Sequence, residues 1–180
     1  MKKKIDPLDY AKEIMQALKQ GVLLTTKAGE KVDTMTIGWG TLGIEWNRPV
    51  FAVYVRTGRF THEQLEKNPE FTVNIPLGAF DKSILGKAGT LTGRRVDKIG
   101  TLGLTLIEPE AVSVPAIKEF PLTLECKVIY KTTQAISDIR CNGVEGFYPQ
   151  EVDDPDQARN NEPHTAYYGE IVSAYIIEQA

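Results

Sequence analysis

The 180-residue chain has 21 Lys and Arg against 24 Asp and Glu, a formal net charge of -3, with 42% hydrophobic and 25% charged residues. That balance is ordinary for a globular protein and lacks the basic excess of a general nucleic-acid binder, and no apolar stretch is long enough to span a bilayer. The length allows one sizeable core and is short for two, so residues 1–180 are read as a single domain.

The opening Met1-Lys2-Lys3-Lys4 is basic, but Asp6, Pro7, Asp9, Lys12 and Glu13 stand where a signal peptide would place its apolar segment. A cytoplasmic location is therefore expected. Pro7 to Lys19 carries Leu8, Ala11, Ile14, Met15 and Leu18, which predicts a short amphipathic helix ended by Gly21. Val22 to Thr26 reads as a strand, residues 27–30 as a turn, and Val32 onward as the returning strand of a hairpin.

Along that second strand Met35, Ile37 and Trp39 share one face, with Thr34, Thr36 and Gly38 on the other. Threonines and glycine offer hydroxyls and bare backbone, so a flat group could lie there; a solvent-facing threonine row fits the same residues. Val50 to Val55 is an uninterrupted apolar run that reads as a strand buried on both faces, and it is expected to pair with the threonine strand.

The run leads into Arg56-Thr57-Gly58-Arg59-Phe60-Thr61, where Thr61 and Gln64 have the spacing of a capping box and Asn68-Pro69 ends the helix that follows. Two guanidinium groups and two hydroxyls at the mouth of a helix suit a phosphate, because unpaired amides already point there. A solvated surface turn would use the same vocabulary.

Phe71 to Ile75 is a strand, and Asp81 is placed to cap a helix holding Ile84 and Leu85, limited by Gly86 and Gly89. Residues 89–98 are polar, with three cations, and fit either a second wall of a binding site or an exposed connection. Leu122 to Tyr130 alternates as a strand, which makes Cys126 a small core residue. Cys126 and Cys141 have no metal-ligand spacing, so free thiols and no metal site are expected. Residues 137–164 form a polar excursion over the surface or across a partner subunit, and Thr165 to Ile177 closes the chain's pattern with a strand.

Many strands, few helices and hairpin-like connections predict a mainly β fold, an antiparallel barrel with short helices outside it. A Rossmann site is not expected, because no GxGxxG follows a strand. Thr34 to Gly40, Val53 to Arg56 with Arg59 and Thr61, Thr92 to Lys98, Pro121 to Cys126, and His164-Thr165 with Tyr168 to Ile171 occur in one order along the chain. Together they resemble the flavin reductase-like, or flavoredoxin, family of FMN-binding split barrels.

The resemblance implies a six-stranded Greek-key split barrel that forms a homodimer and binds FMN. By that analogy Arg56, Thr57, Arg59 and Thr61 hold the phosphate, with Phe60 beside them among the cofactor-binding residues, Thr34, Met35, Thr36 and Ile37 lie along the ring, and Thr92, Gly93 and Arg94 approach from a neighbouring loop. Two departures stand out. Arg95 follows Thr92-Gly93-Arg94 where aspartate is usual, and Asp33 precedes the Thr-Met pair where asparagine is usual.

The expected activity is NAD(P)H-dependent flavin reduction, with the flavin carrying the chemistry and electrons passed on. Arg94 and Lys98 would add positive potential, and His164 is a candidate site residue. His62, the other histidine, follows the helix start and is expected to be exposed. A second reading is an FMN electron carrier that docks to a redox partner protein with little NAD(P)H turnover. A third is a β-barrel binding module without flavin.

Overall fold

The computed structural model describes residues 1–150 and 160–178; the rest of the expected polar excursion, 151–159, lies outside the described residues. In chain order the elements are β1 (Lys2–Lys4), α1 (Ala11–Leu18), β2 (Val22–Ala28), β3 (Lys31–Ile37), β4 (Gly40–Glu45), β5 (Arg48–Arg56), α2 (Phe60–Lys67) and β6 (Glu70–Ile75). They continue with α3 (Ser83–Thr90), α4 (Lys98–Thr101), β7 (Leu106–Ile107), β8 (Ala116–Ile117), β9 (Leu122–Thr133), α5 (Val144–Phe147) and β10 (His164–Ile177).

The main sheet is antiparallel, with strand order β3-β2-β6-β9-β10-β5-β4 and β1 added beside β10. β3 and β4 stand at opposite ends of this path, yet only Gly38 and Trp39 separate them in sequence. The three steps from Ile37 to Gly40 span at most about 11 Å of extended chain. The sheet therefore curls until its two ends nearly meet, which is a split barrel. It has eight strands in this sheet rather than the six expected.

The barrel interior collects Val22 and Leu24 from β2, Phe51, Val53 and Val55 from β5, Phe71 and Val73 from β6, Leu124 and Cys126 from β9, and Tyr167 from β10. α1 adds Ile14 and Leu18, one turn apart, while Leu8 and Met15 stay partly exposed. On the outer face α3 packs Ile84, Leu85 and Ala88 over Leu23, together with Phe120.

Glu125 shows why both faces of the first part of β9, Leu122 to Cys126, are buried. Its carboxylate accepts the Glu110 and Ala111 backbone N–H groups at 2.8 and 2.6 Å and the Tyr175 hydroxyl at 2.8 Å, so the segment before β8 is tied down over the strand.

Four expectations need correction. β3 pairs with β2 alone, and β5 pairs with β4 and β10, so the threonine strand and the apolar run are not neighbours. The unforeseen strand β4 takes that place, joined to β5 by a tight turn in which Trp46 and Asn47 both have positive φ, 49° and 58°.

The Thr61–Gln64 capping box does not form. α2 begins at Phe60, Thr61 lies inside it without a capping bond, and Gln64 instead accepts from Thr26 Oγ1 and donates to the Lys31 carbonyl. Tertiary contact with the β2–β3 hairpin overrides the local motif. Gly86 and Gly89 do not limit α3, which runs through both to Thr90; packing of its apolar face outweighs their poor helix propensity.

The threonine face of β3 is not open either. Thr34 is fully buried, shares a 3.1 Å bond with Thr25, and points toward the Leu24 carbonyl, while Thr36 Oγ1 donates to the Leu85 carbonyl of α3 at 2.6 Å. Asp81 does act at the start of α3, where its Oδ1 accepts the Ser83 backbone N–H and its Oδ2 accepts the Ser83 hydroxyl.

Candidate functional site

A cleft of about 320 Å³ opens where the curled edge β3, the start of α2, the last turn of α3 and the loop to α4 converge. That volume lies at the lower end of the range for small-molecule sites. β3 is a sheet edge, so one side of its backbone is unpaired by any strand and faces this region. Met35 and Asp33 reach the cleft from β3, Arg59, Phe60 and Thr61 from the α2 mouth, and Thr92, Gly93, Arg94 and Arg95 from the loop.

Seven of the twelve residues assigned to the cofactor from sequence thus come together: Met35, Arg59, Phe60, Thr61, Thr92, Gly93 and Arg94. Thr34, Thr36 and Ile37 do not line it; the first two spend their hydroxyls as described and Ile37 is in the barrel core. Arg56 is turned away as well. Its guanidinium donates to the carbonyls of Phe147, Asn160 and Glu162 and lies 4.9 Å from the centre of the Tyr148 ring. Thr57 donates its backbone N–H to the Pro163 carbonyl.

The cations in the cleft differ in what they already hold. Arg94 pairs with Glu63 and donates to the Gly58 carbonyl at 2.9 Å, fastening the loop to the α2 mouth. Arg59 forms no ion pair among the described residues. It and Arg95, which likewise has no ion pair among the described residues, are the cations left for an anionic ligand.

Lys98 is nearly wholly buried, with its ammonium 3.2 Å from Asp33 Oδ2. The contact lacks hydrogen-bond geometry, so neither Asp33 oxygen has a hydrogen-bond donor among the described residues. Burial raises the Asp33 pKa and lowers that of Lys98, and each partner's charge pulls the other back toward its ionised form. Gly93 packs directly on this pair: a Cβ there would lie 2.4 Å from Asp33 Oδ1.

His164 does not reach the cleft. Its Nδ1 is 2.7 Å from the Tyr148 hydroxyl and its ring lies against Trp39. Burial, followed by the Arg56 and Arg59 charges, pushes its pKa down to about 4, so it is neutral at pH 7. His62 is half-buried with Nε2 3.2 Å from Thr165 Oγ1, and burial lowers its pKa too. Glu170 is paired with Arg48. Cys126 is buried and Cys141 exposed, both free, and no group of metal-ligating side chains forms among the described residues.

Gly89, Thr90 and Leu91, from the segment read as a possible second wall, do line the cleft, at the end of α3. Sequence reasoning missed two other contributors. Ala88 joins that wall, a role that only the long return of α3 onto β3 creates. Glu162 reaches in from far along the chain, and its Oε2 accepts the Gly58 backbone N–H at 2.6 Å. The run Gly86-Lys87-Ala88-Gly89, small enough for close approach, was the available signal for the first; none pointed to the second.

A family model described as a flavin reductase like domain matches residues 15–180. An uncharacterized protein of Archaeoglobus fulgidus is 36% identical over 100 residues, 56% of this chain and 55% of that protein. The match thus spans little more than half of that curated relative. Among solved structures, the flavoredoxin of Desulfovibrio vulgaris (Miyazaki F) superposes with a TM-score of 0.64 at 23% identity, covering 88% of this chain and 69% of that one. An NADH:FAD oxidoreductase of Streptomyces globisporus C-1027 superposes with a TM-score of 0.61 at 19% identity, covering 96% and 86%. These two likenesses establish the fold.

Proposed function

The chain belongs to the flavin reductase-like family, and from that premise we propose that it is an FMN-binding oxidoreductase reduced by NAD(P)H. The observation that carries the proposal is the cleft itself. An arginine at a helix mouth with no ion pair among the described residues, an edge strand and a cationic loop meet around a space of about 320 Å³.

These residues fit the group. Arg59, with the Gly58 amide, would take the phosphate, as guanidinium and helix-mouth amides both favour phosphate oxygens. Met35 and the β3 backbone would support the ring, and the loop at Thr92, Gly93 and Arg94 would cover it. Bound FMN supplies hydride and electron-transfer chemistry. Arg59, Arg94, Arg95 and Lys98 place positive charge around the cleft, while Asp33, Glu162 and the Glu63 paired with Arg94 subtract from it, leaving a small positive excess for an anionic ligand. Lys98 stays beneath the loop as its anchor. No side chain in the cleft is arranged as a nucleophile with a base.

The exposed Ile44, Trp46, Ile129 and Tyr130 support a second copy of the chain as a partner, making the working unit a homodimer. Among the described residues no helix is long and apolar enough to cross a membrane.

The test is the absorption spectrum of the purified protein with FMN or FAD added, followed by anaerobic titration with NADH and with NADPH. Flavin uptake and bleaching by a nicotinamide are expected. Protein that takes up neither flavin would overturn the reading. The likeness to a flavoredoxin favours a second reading, an FMN electron carrier; flavin uptake without bleaching by either nicotinamide would select it.

A further inference from the structure

The inference rests on the flavin reading above. The carboxylate of Glu162 occupies the α2 mouth, where Oε2 takes the Gly58 N–H at 2.6 Å. It fills the space a side chain would use: a Cβ on Gly58 would lie 2.1 Å from that oxygen. The glutamate is held there by its own backbone, because its carbonyl accepts Arg56 Nη1 at 2.9 Å and the next carbonyl, Pro163, accepts the Thr57 N–H at 3.1 Å.

A separate observation marks the same cleft as a place for a ligand. Asp33, 1% exposed, lines it with its charge matched by Lys98 at 3.2 Å and with neither oxygen in a regular hydrogen bond among the described residues. The cleft thus holds a buried ion pair short of hydrogen bonds at one end and a self-supplied anion at the other.

We propose that Glu162 is a specificity-determining residue of the cleft, its carboxylate competing with a ligand's phosphate for the Gly58 amide. One N–H cannot serve two anions well, and a carboxylate and a phosphate a few ångströms apart repel each other. Phosphate entry therefore displaces the glutamate. The apparent affinity is the intrinsic one multiplied by the fraction of molecules whose Gly58 amide is free. A flavin without phosphate does not call on that amide and is indifferent to the exchange.

The Glu162→Gln variant keeps the shape, weakens the hold on Gly58 and removes the repulsion. FMN and riboflavin are titrated into wild type and E162Q, with binding read from flavin fluorescence. The expected result is FMN binding tightened by about tenfold in E162Q with riboflavin unchanged, and inorganic phosphate competing with FMN more effectively in the variant than in wild type. Unchanged or weakened FMN binding in E162Q, with riboflavin bound equally by both proteins, overturns the role of Glu162 and leaves the flavin reading standing. Failure of both proteins to bind either flavin overturns the flavin reading, and the inference with it.

Discussion

The Lys98 ammonium lies 3.2 Å from Asp33 Oδ2, and the two side chains are 3% and 1% exposed. The contact joins the start of α4 to the sheet edge β3, which has no strand partner on that side. With the Arg94 contacts to Glu63 and the Gly58 carbonyl, it fixes the cationic loop over the cleft.

Removing one partner leaves a buried charge uncompensated. Lys98→Met should destabilise the protein by about 3–5 kcal/mol, and Asp33→Leu combined with Lys98→Met should recover most of that loss. Urea denaturation of the single and double variants measures both. A single variant within 1 kcal/mol of wild type, on the order of the scatter for surface changes, would show that the pair does not pin the loop.

Gly93 is packed so closely on Asp33 that a methyl group has no room. Gly93→Ala should move the loop outward, cost about 1–3 kcal/mol of stability and weaken flavin binding. Calorimetry and flavin titration read the two effects. Undiminished binding would place the loop outside the ligand's reach.

Arg59, unlike Arg94, is not engaged in an ion pair among the described residues. Arg59→Ala should weaken FMN binding by about tenfold or more while leaving riboflavin unaffected, since a charge-assisted bond to phosphate is lost. Arg94→Ala should affect both flavins, because the loop loses its fastening to Glu63 and the Gly58 carbonyl. Equal losses for the two flavins in the Arg59 variant would count against a phosphate role.

His164 ties stability to pH. Its pKa falls from 6.5 to about 4 on folding, so between those values the unfolded chain takes up a proton that the folded chain refuses. Stability should fall as pH drops through that window, with this contribution complete below about pH 4. His62 acts in the same direction, so the measurement is the difference between wild type and His164→Gln across a series of denaturation curves. Parallel curves would refute the assignment.

Alternation and apolar runs were enough to locate β2, β3, β5, β6, β9 and β10, because side-chain period is a local property. β4 escaped notice since Gly40 and Gly43 interrupt its pattern. The period of β3 separates Thr34 and Thr36 from Met35, but not what covers each face; α3, some fifty residues later, decides that. Likewise the helix mouth after β5 was legible, while the diversion of Arg56 depends on carbonyls at 147, 160 and 162 that no local signal announces. Asp33 was visible as a departure from the expected asparagine, and its partner Lys98 as a conspicuous cation; their meeting was not.

The place of β10 in the sheet has a consequence for folding. It sits between β9 and β5, with β1 beside it, and is far from β5 in sequence. Until it is in place, β4 and β5 form an isolated hairpin and β9 lacks one neighbour. Two unpaired borders therefore persist while the barrel folds, and its closure awaits the insertion of β10 between them.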